Sequence, residues 1–415
     1  MSERAHDHDY VFDWNHLKKV APLSSKPFEI LDETLRDGIQ SPSVTDPGID
    51  EKIELLHLME SLGIGAADLG LPGAGERQQD DVAVLVKEIE SAGLKIKPNC
   101  AARTMVRDIR PIVDVVQKTG IPIEVYAFIG SSPIRLFAED WSVDTLLRHV
   151  DESVSFAVKE GLDVCLVTED TTRSRPDVLD PLFRRAIDLG VKRLCLCDTV
   201  GHATPDGIHN LFDWTKSLLR GHGAEHIQLD WHGHNDRGLG VANAIIAIEA
   251  GADRVHGTGL GVGERVGNSA IDQILLNLKL LGEWEPDLSN LLLYCQAVSR
   301  ACHVDIPYNY PMAGSDAFRT GTGVHAAAII KSVKKDDQWL ADRVYSGVPA
   351  GVFGRHQEIE VGHMSGLSNV YYWLESRRIP YTEELVQEIF SKAKSTNRTL
   401  SKEEIMSVVR KHESV

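Results

Sequence analysis

Residues 191–231 read VKRLCLCDTVGHATPDGIHNLFDWTKSLLRGHGAEHIQLDW. The segment opens on a short apolar run of strand length, Val191–Cys197. It then crosses the polar stretch Asp198-Thr199-Val200-Gly201. Thr204-Pro205 reads as an N-cap followed by proline at the first helical position. A helical pattern, Pro205–Leu219, follows, and a second strand-type run, Ile227–Trp231, closes the unit. The local order is strand, helix, strand.

The same rhythm extends in both directions. Strand-type runs occur at Phe28–Leu31, Ala66–Leu71, Leu94–Cys100, Ile121–Phe128, Leu162–Val167, Val191–Cys197, Ile227–Trp231 and Arg254–His256. Helical patterns lie between and after them: Ile49–Leu62, Asp81–Ser91, Thr104–Gln117, Val143–Lys159, Asp177–Leu189, Pro205–Leu219, Gly240–Ala250 and Asn268–Leu281. Glycines such as Gly120 and Gly161 fall just after helical runs, where a C-terminal cap favours positive φ. Eight strand–helix units between residues 28 and 281 are the arithmetic of a (β/α)8 TIM barrel. An open doubly wound sheet is the competing architecture, and the count of eight favours the barrel.

Beyond Leu281 the rhythm breaks. Residues 286–345 read as helical with a loop around Pro307–Thr322, and 346–380 as Gly-rich and less regular. Thr382–Ala393 reads as a helix. Ser401-Lys402-Glu403-Glu404 is a capping box that opens a final one. The expected organisation is an α/β TIM-barrel catalytic domain over residues 28–285, with an N-terminal tail over 1–27. A smaller, mainly helical C-terminal region over 286–415 follows. His6 and His8 alternate with Asp in the tail, which reads as solvated.

Composition narrows the class. Of 415 residues, 42% are apolar and 25% charged, as in ordinary soluble globular proteins. There is no apolar stretch of membrane-spanning length and no secretory h-region. Six cysteines are too few for a disulfide scaffold, which leads to a reduced, cytoplasmic setting. A net charge of −17 argues against nucleic-acid binding.

In a barrel, chemistry collects at the C-terminal ends of the strands. After strand one comes Asp32-Glu33-Thr34-Leu35-Arg36-Asp37-Gly38-Ile39-Gln40. There a carboxylate can ligate a hard cation, and a guanidinium can polarise a carbonyl. A plain ion pair in a turn is the alternative. After strand seven comes His232-Gly233-His234, and residues i and i+2 of a strand end face one spot, which is metal-ligand spacing. After strand eight, Gly257–Asn268 places glycine at alternate positions, suited to close backbone approach, and Asn268 offers an amide oxygen. Strands five and six are followed by Glu169 and Thr199, a carboxylate and a hydroxyl at the rim. Cys195 and Cys197 lie inside an apolar strand and read as buried small hydrophobes.

Three motifs, DETLRDGIQSP, HGHNDRGLGVANAIIAIEAGA and GTGLGVGERVGN, together resemble the 2-isopropylmalate, homocitrate and citramalate synthases of the DRE-TIM metallolyase superfamily. The resemblance covers residues 28–281 closely and continues through TGTGVHAAAIIKS and FGRHQEIEVGHMSGLSNV. It implies an acyl-CoA:2-oxo acid C-acyltransferase that condenses acetyl-CoA with a 2-oxo acid and then hydrolyses the thioester. Asp37, His232, His234 and Asn268 would hold a divalent cation (Mg²⁺, Mn²⁺ or Zn²⁺). Arg36 would polarise the ketone, Thr199 would hold the carboxylate, and Gln40 would join in substrate binding. Glu169 falls where the family has a carboxylate near the acyl-CoA methyl. His325 resembles the family's lid histidine, contributed from the partner in a homodimer with exchanged C-terminal regions.

Two departures stand out. Ile39 occupies a position where the synthases usually have Glu, a step toward hydroxymethylglutaryl-CoA lyases. Those lyases carry a cysteine in the loop after strand eight, and residues 257–268 have none, so cleavage by a lyase or aldolase ranks second. A non-enzymatic metabolite sensor ranks third. The end at Val415 leads to the expectation that no regulatory domain follows. Substrate choice stays open: Arg103 or Arg135 would pair a distal carboxylate, whereas Leu71, Ile134 and Leu136 would line an apolar slot.

Overall fold

The computed structural model describes residues 10–12, 14–16, 23–24 and 26–413. His6 and His8 lie outside the described residues. The chain divides into two compact units. The first runs to Pro286 and includes Arg300–Val304; the second is Asp287–Ser299 together with Asp305 onward.

The first unit is a closed barrel of eight parallel strands in sequential order. They are β1 Glu29–Asp32, β2 Ala66–Asp68, β3 Lys97–Arg103, β4 Glu124–Gly130, β5 Val164–Glu169, β6 Arg193–Asp198, β7 Gln228–Gly233 and β8 Arg254–Gly257. Closure is made by β8 against β1, with Leu31 beside His256 and Asp32 beside Gly257. The open-sheet alternative is excluded.

The sequence signals act as expected at the helix ends. Thr204 accepts from the Gly207 amide at 3.3 Å, and Pro205 opens the helix Pro205–His222. Gly120 ends the helix Val106–Thr119 with φ 76°, donating to Val116 O at 2.7 Å. One helix, Pro133–Glu139, has no counterpart in the sequence reading. It buries none of its residues, so it has no apolar face to reveal it.

The barrel interior is layered. A charged layer at the N-terminal end contains Glu29, Glu124, Arg193 and Arg254. Above it lies an apolar layer with Leu31, Ala66, Tyr126, Cys165 and Cys195. The C-terminal ends of the strands carry the polar residues of the next subsection.

The second unit is mainly helical, with helices Gly323–Lys334, Gln338–Arg343, Leu367–Glu375, Glu383–Lys394 and Lys402–Glu413. A short parallel pair joins Arg319–Thr320 to Glu358–Ile359. Val370, Trp373, Val386, Ile389, Ile405 and Val408 form its main core. The capping box is present: the Glu404 amide donates to Ser401 Oγ at 3.2 Å, and the Ser401 amide to Glu404 Oε2 at 2.8 Å. Leu367–Glu375 lies in the stretch read as irregular. It is short, and its glycine N-cap is supported by Asn369, which accepts from the Gly366 amide at 3.2 Å. Tertiary packing, rather than propensity, makes this helix.

Candidate active site

The turn after β1 is drawn tight by the Gly38 and Arg36 amides, both donating to Glu33 O at 3.1 Å. This aims Arg36 across the mouth of the barrel, where one guanidinium serves three carboxylates. Its Nε donates to Asp68 Oδ2 at 2.8 Å, Nη1 to Asp37 Oδ1 at 2.7 Å and Nη2 to Glu33 Oε1 at 2.8 Å. The two readings of the Arg-Asp pair are thus compatible. The ion pair exists, and it holds both groups at the cavity.

Asp37 Oδ2 faces the strand-seven imidazoles, 3.4 Å from His234 Nε2 and 3.8 Å from His232 Nε2. All three residues are buried, and their ligating atoms lie within 4.8 Å of one another. Asn268 comes from the loop after β8 and donates Nδ2 to Asp37 Oδ2 at 2.6 Å, while its Oδ1 has no hydrogen-bond partner. Rotating that amide turns the free oxygen toward the cluster. Two imidazoles, a carboxylate and an amide oxygen suit a divalent cation with open positions for substrate.

The glycines of this loop serve its own folding. A Cβ on Gly267 would sit 1.8 Å from Gly261 O, and one on Gly263 would sit 2.0 Å from Asn268 Oδ1. Only glycine lets the loop close tightly enough to deliver Asn268.

Glu33, His256, Asp230, Tyr126 and Arg193, to which the sequence reading gave no role, complete the arrangement. His232 Nδ1 donates to Glu33 Oε2 at 2.7 Å. The other Glu33 oxygen lies 3.2 Å from His256 Nδ1, and His256 Nε2 lies 3.2 Å from Asp230 Oδ2. Tyr126 Oη donates to the same Asp230 oxygen at 2.6 Å, and Arg193 to Oδ1 at 2.9 Å. With Asp68 on Arg36, this is a polar column through the barrel. Strand parity is the signal that finds it: Glu33 is two residues beyond the inward Leu31, and Asp230 two before His232.

The electrostatics follow from burial and close charge. Burial works to raise the pKa of Asp37, but Arg36, a His234 hydrogen bond and the His232 charge hold it well below the usual carboxylate range. Burial likewise works against Glu33, whose carboxyl is held low by His232, Arg36 and His256. Asp68 goes the other way, pushed up to about 6 by burial and the Glu33 charge despite Arg36. His232 is lifted to about 10: burial opposes its charge, and Glu33 outweighs that. Burial raises Glu169, with Arg135 pulling in the opposite direction.

Arg36, Asp37, Gln40, Glu169, Thr199, His232 and His234 all line one cavity of about 210 Å³. Thr199 Oγ1 accepts from the Asp170 amide at 2.8 Å, which fixes it at the rim. Arg103 and Arg135 do not line this cavity. Arg103 turns to Asp108, and its side chain is 53% exposed. Arg135 lies 3.3 Å from Glu169 Oε1 and 3.2 Å from Glu139 Oε1. Ile134 is 59% exposed. His325 belongs to the second unit, exposed on the helix Gly323–Lys334, with its ring 4.2 Å from that of Tyr345.

Fold and site define a (β/α)8 barrel protein with a buried carboxylate–imidazole cluster at the C-terminal face of the barrel. The HMGL-like family profile matches residues 27–299, and the chain belongs to that family. It is 30% identical to the homocitrate synthase AksA of Methanocaldococcus jannaschii over 93% of this chain and 91% of that protein. It is 29% identical to the 2-isopropylmalate synthase of Sulfolobus acidocaldarius over 91% of this chain and 94% of that protein. Hydroxymethylglutaryl-CoA lyase from Pseudomonas aeruginosa shares the fold, with TM-score 0.55 at 19% identity over 67% of this chain and 94% of that one. Among the described residues no helix is long and apolar enough to cross a membrane.

Proposed function

We propose that this protein is a divalent-metal-dependent acyl-CoA:2-oxo acid C-acyltransferase that condenses acetyl-CoA with a 2-oxo acid and hydrolyses the resulting thioester. The observation that carries the reading is the convergence of Arg36, Asp37, His232 and His234 with Glu169 on one cavity. The relatives named as homocitrate and 2-isopropylmalate synthases support the same reaction class.

Asp37, His232, His234 and Asn268 would hold Mg²⁺, Mn²⁺ or Zn²⁺. Such a cation supplies Lewis acidity toward the oxo acid's ketone and carboxylate oxygens. Arg36 adds a fixed positive charge where the ketone oxygen becomes an alkoxide. Thr199 and Gln40 orient the carboxylate. Glu169 takes a proton from the thioester methyl, and the carbanion adds to the ketone carbon, forming the C–C bond. The alkoxide is protonated, and water then cleaves the thioester to release CoA thiol. Residues 286–415 act as lid and dimerisation region, and His325 of a second copy completes the site. Six sparse, buried cysteines fit a reducing, cytoplasmic setting.

The test is release of free CoA thiol by the full chain with acetyl-CoA, Mn²⁺ or Mg²⁺, and pyruvate, 2-oxoisovalerate, oxaloacetate or 2-oxoglutarate in turn. Release that requires metal, acetyl-CoA and oxo acid together is expected. Release undiminished in His232→Ala, or cleavage of a hydroxyacyl-CoA without any condensation, would overturn the reading.

A further inference from the structure

The two relatives leave the substrate side chain open, because their names point to different oxo acids. The cavity is asymmetric in a way that bears on this. The side that carries the proposed cation ligands comes from β1, β7 and the loop after β8. The opposite wall is apolar, built by Ala101, Tyr126, Phe128, Val167, Cys195 and Cys197 from β3 to β6. The strand register makes this wall continuous. Cys197 pairs beside His232, Cys195 beside Val167, Val167 beside Phe128, and Tyr126 beside Ala101. A 2-oxo acid with its ketone at Arg36 and Asp37 would turn its side chain toward this wall.

The charges around the wall match no second carboxylate. The guanidiniums lining the cavity are Arg36 and Arg265. Arg36 is committed to Glu33, Asp37 and Asp68. Arg265 sits at the rim, donating to Asp236 at 2.9 Å and to Thr199 O at 2.7 Å. Arg103 and Arg135 are turned onto Asp108 and Glu169. His256 is engaged at both nitrogens, and Tyr126 Oη donates to Asp230 while accepting from Arg254 at 2.6 Å. The remaining charged groups facing the cavity include Glu33, Glu169 and Glu264, all carboxylates. A distal carboxylate would lose water and meet no cation that is not already engaged by a carboxylate or a carbonyl.

We infer that the wall from Ala101 to Cys197 selects monocarboxylic 2-oxo acids with an apolar side chain and rejects dicarboxylic ones. This rests on the condensation reading above and deepens it. A methylene in an apolar pocket changes discrimination by roughly 10- to 200-fold, so a branched or lengthened side chain should outperform pyruvate.

The experiment measures kcat/KM by thiol release on the full chain with Mn²⁺ and acetyl-CoA. The panel is pyruvate, 2-oxobutanoate, 2-oxoisovalerate, oxaloacetate and 2-oxoglutarate. The expected result is a best monocarboxylate about 100-fold or more above either diacid. A diacid equal to or better than the best monocarboxylate overturns the specificity and leaves the condensation reading standing. No thiol from any member overturns both. A second variant, Val167→Arg, places a cation in the wall. The diacid-to-monoacid ratio should rise at least about tenfold in it, and an unchanged ratio in the folded variant would count against the wall as the selector.

Discussion

His232 Nδ1 donates to Glu33 at 2.7 Å, across 199 residues of sequence. Its other nitrogen faces Asp37. One carboxylate therefore fixes both the tautomer and the ring plane of a residue proposed as a metal ligand, the arrangement that raises ligand basicity in metal sites.

Glu33→Gln keeps the shape of this contact and removes its charge. Divalent-metal affinity should fall about 10- to 100-fold, as read by calorimetric titration of the full chain with Mn²⁺. Activity should return in part at high Mn²⁺. Unchanged affinity would show that the Glu33 contact is not what holds His232 in a ligating orientation.

Glu169 lies across the cavity and is proposed as the base. Burial raises its pKa above the ordinary value of 4.5, so its active, ionised form accumulates later as pH rises. The acid limb of the kcat/KM profile should therefore lie above pH 4.5. Glu169→Gln should lower kcat about 10²- to 10⁴-fold and abolish that limb. A limb that survives the substitution would assign the base elsewhere.

All eight strands are legible as apolar runs, but their ends are displaced in a telling way. β5 reads to Val167 and extends to Glu169; β7 reads to Trp231 and extends through His232 to Gly233. An apolar run stops where the polar site begins, so the residues that matter fall just outside it. The His232–His234 pair is legible because i, i+2 spacing is local. The Glu33–His256 contact is not, because its partners lie 223 residues apart and meet only when β8 closes on β1. Asn268 is legible by its motif, and the packing that delivers it depends on Gly263 and Gly267 meeting other parts of their own loop.

The charged layer at the N-terminal end of the barrel makes a separate prediction. Arg254 is 1% exposed and donates to Glu29 at 2.7 Å, Glu124 at 3.0 Å and Tyr126 Oη at 2.6 Å. Arg254→Met would leave Glu29 and Glu124 short of a cation inside the barrel. The expected cost is about 3–5 kcal/mol in urea unfolding. A further Glu124→Gln change should recover part of it. A single variant as stable as the parent would show that the layer is dispensable to the fold.

The proposed sharing of sites between copies gives the last prediction. Asp37 lies in the barrel unit and His325 in the second unit. If His325 serves the site of its partner, Asp37→Asn and His325→Ala place their damage in different ways. Each homodimer is inactive. After mixing and subunit exchange, half the dimers are mixed. In each mixed dimer one site carries both changes and the other carries neither. Thiol-release activity should thus recover to roughly a quarter of the parent value. If His325 serves its own barrel, every site in the mixture keeps one defect and no activity returns. Subunit exchange verified by mass-tagged chains, with no recovery, would refute the shared site and leave the metal-side chemistry untouched.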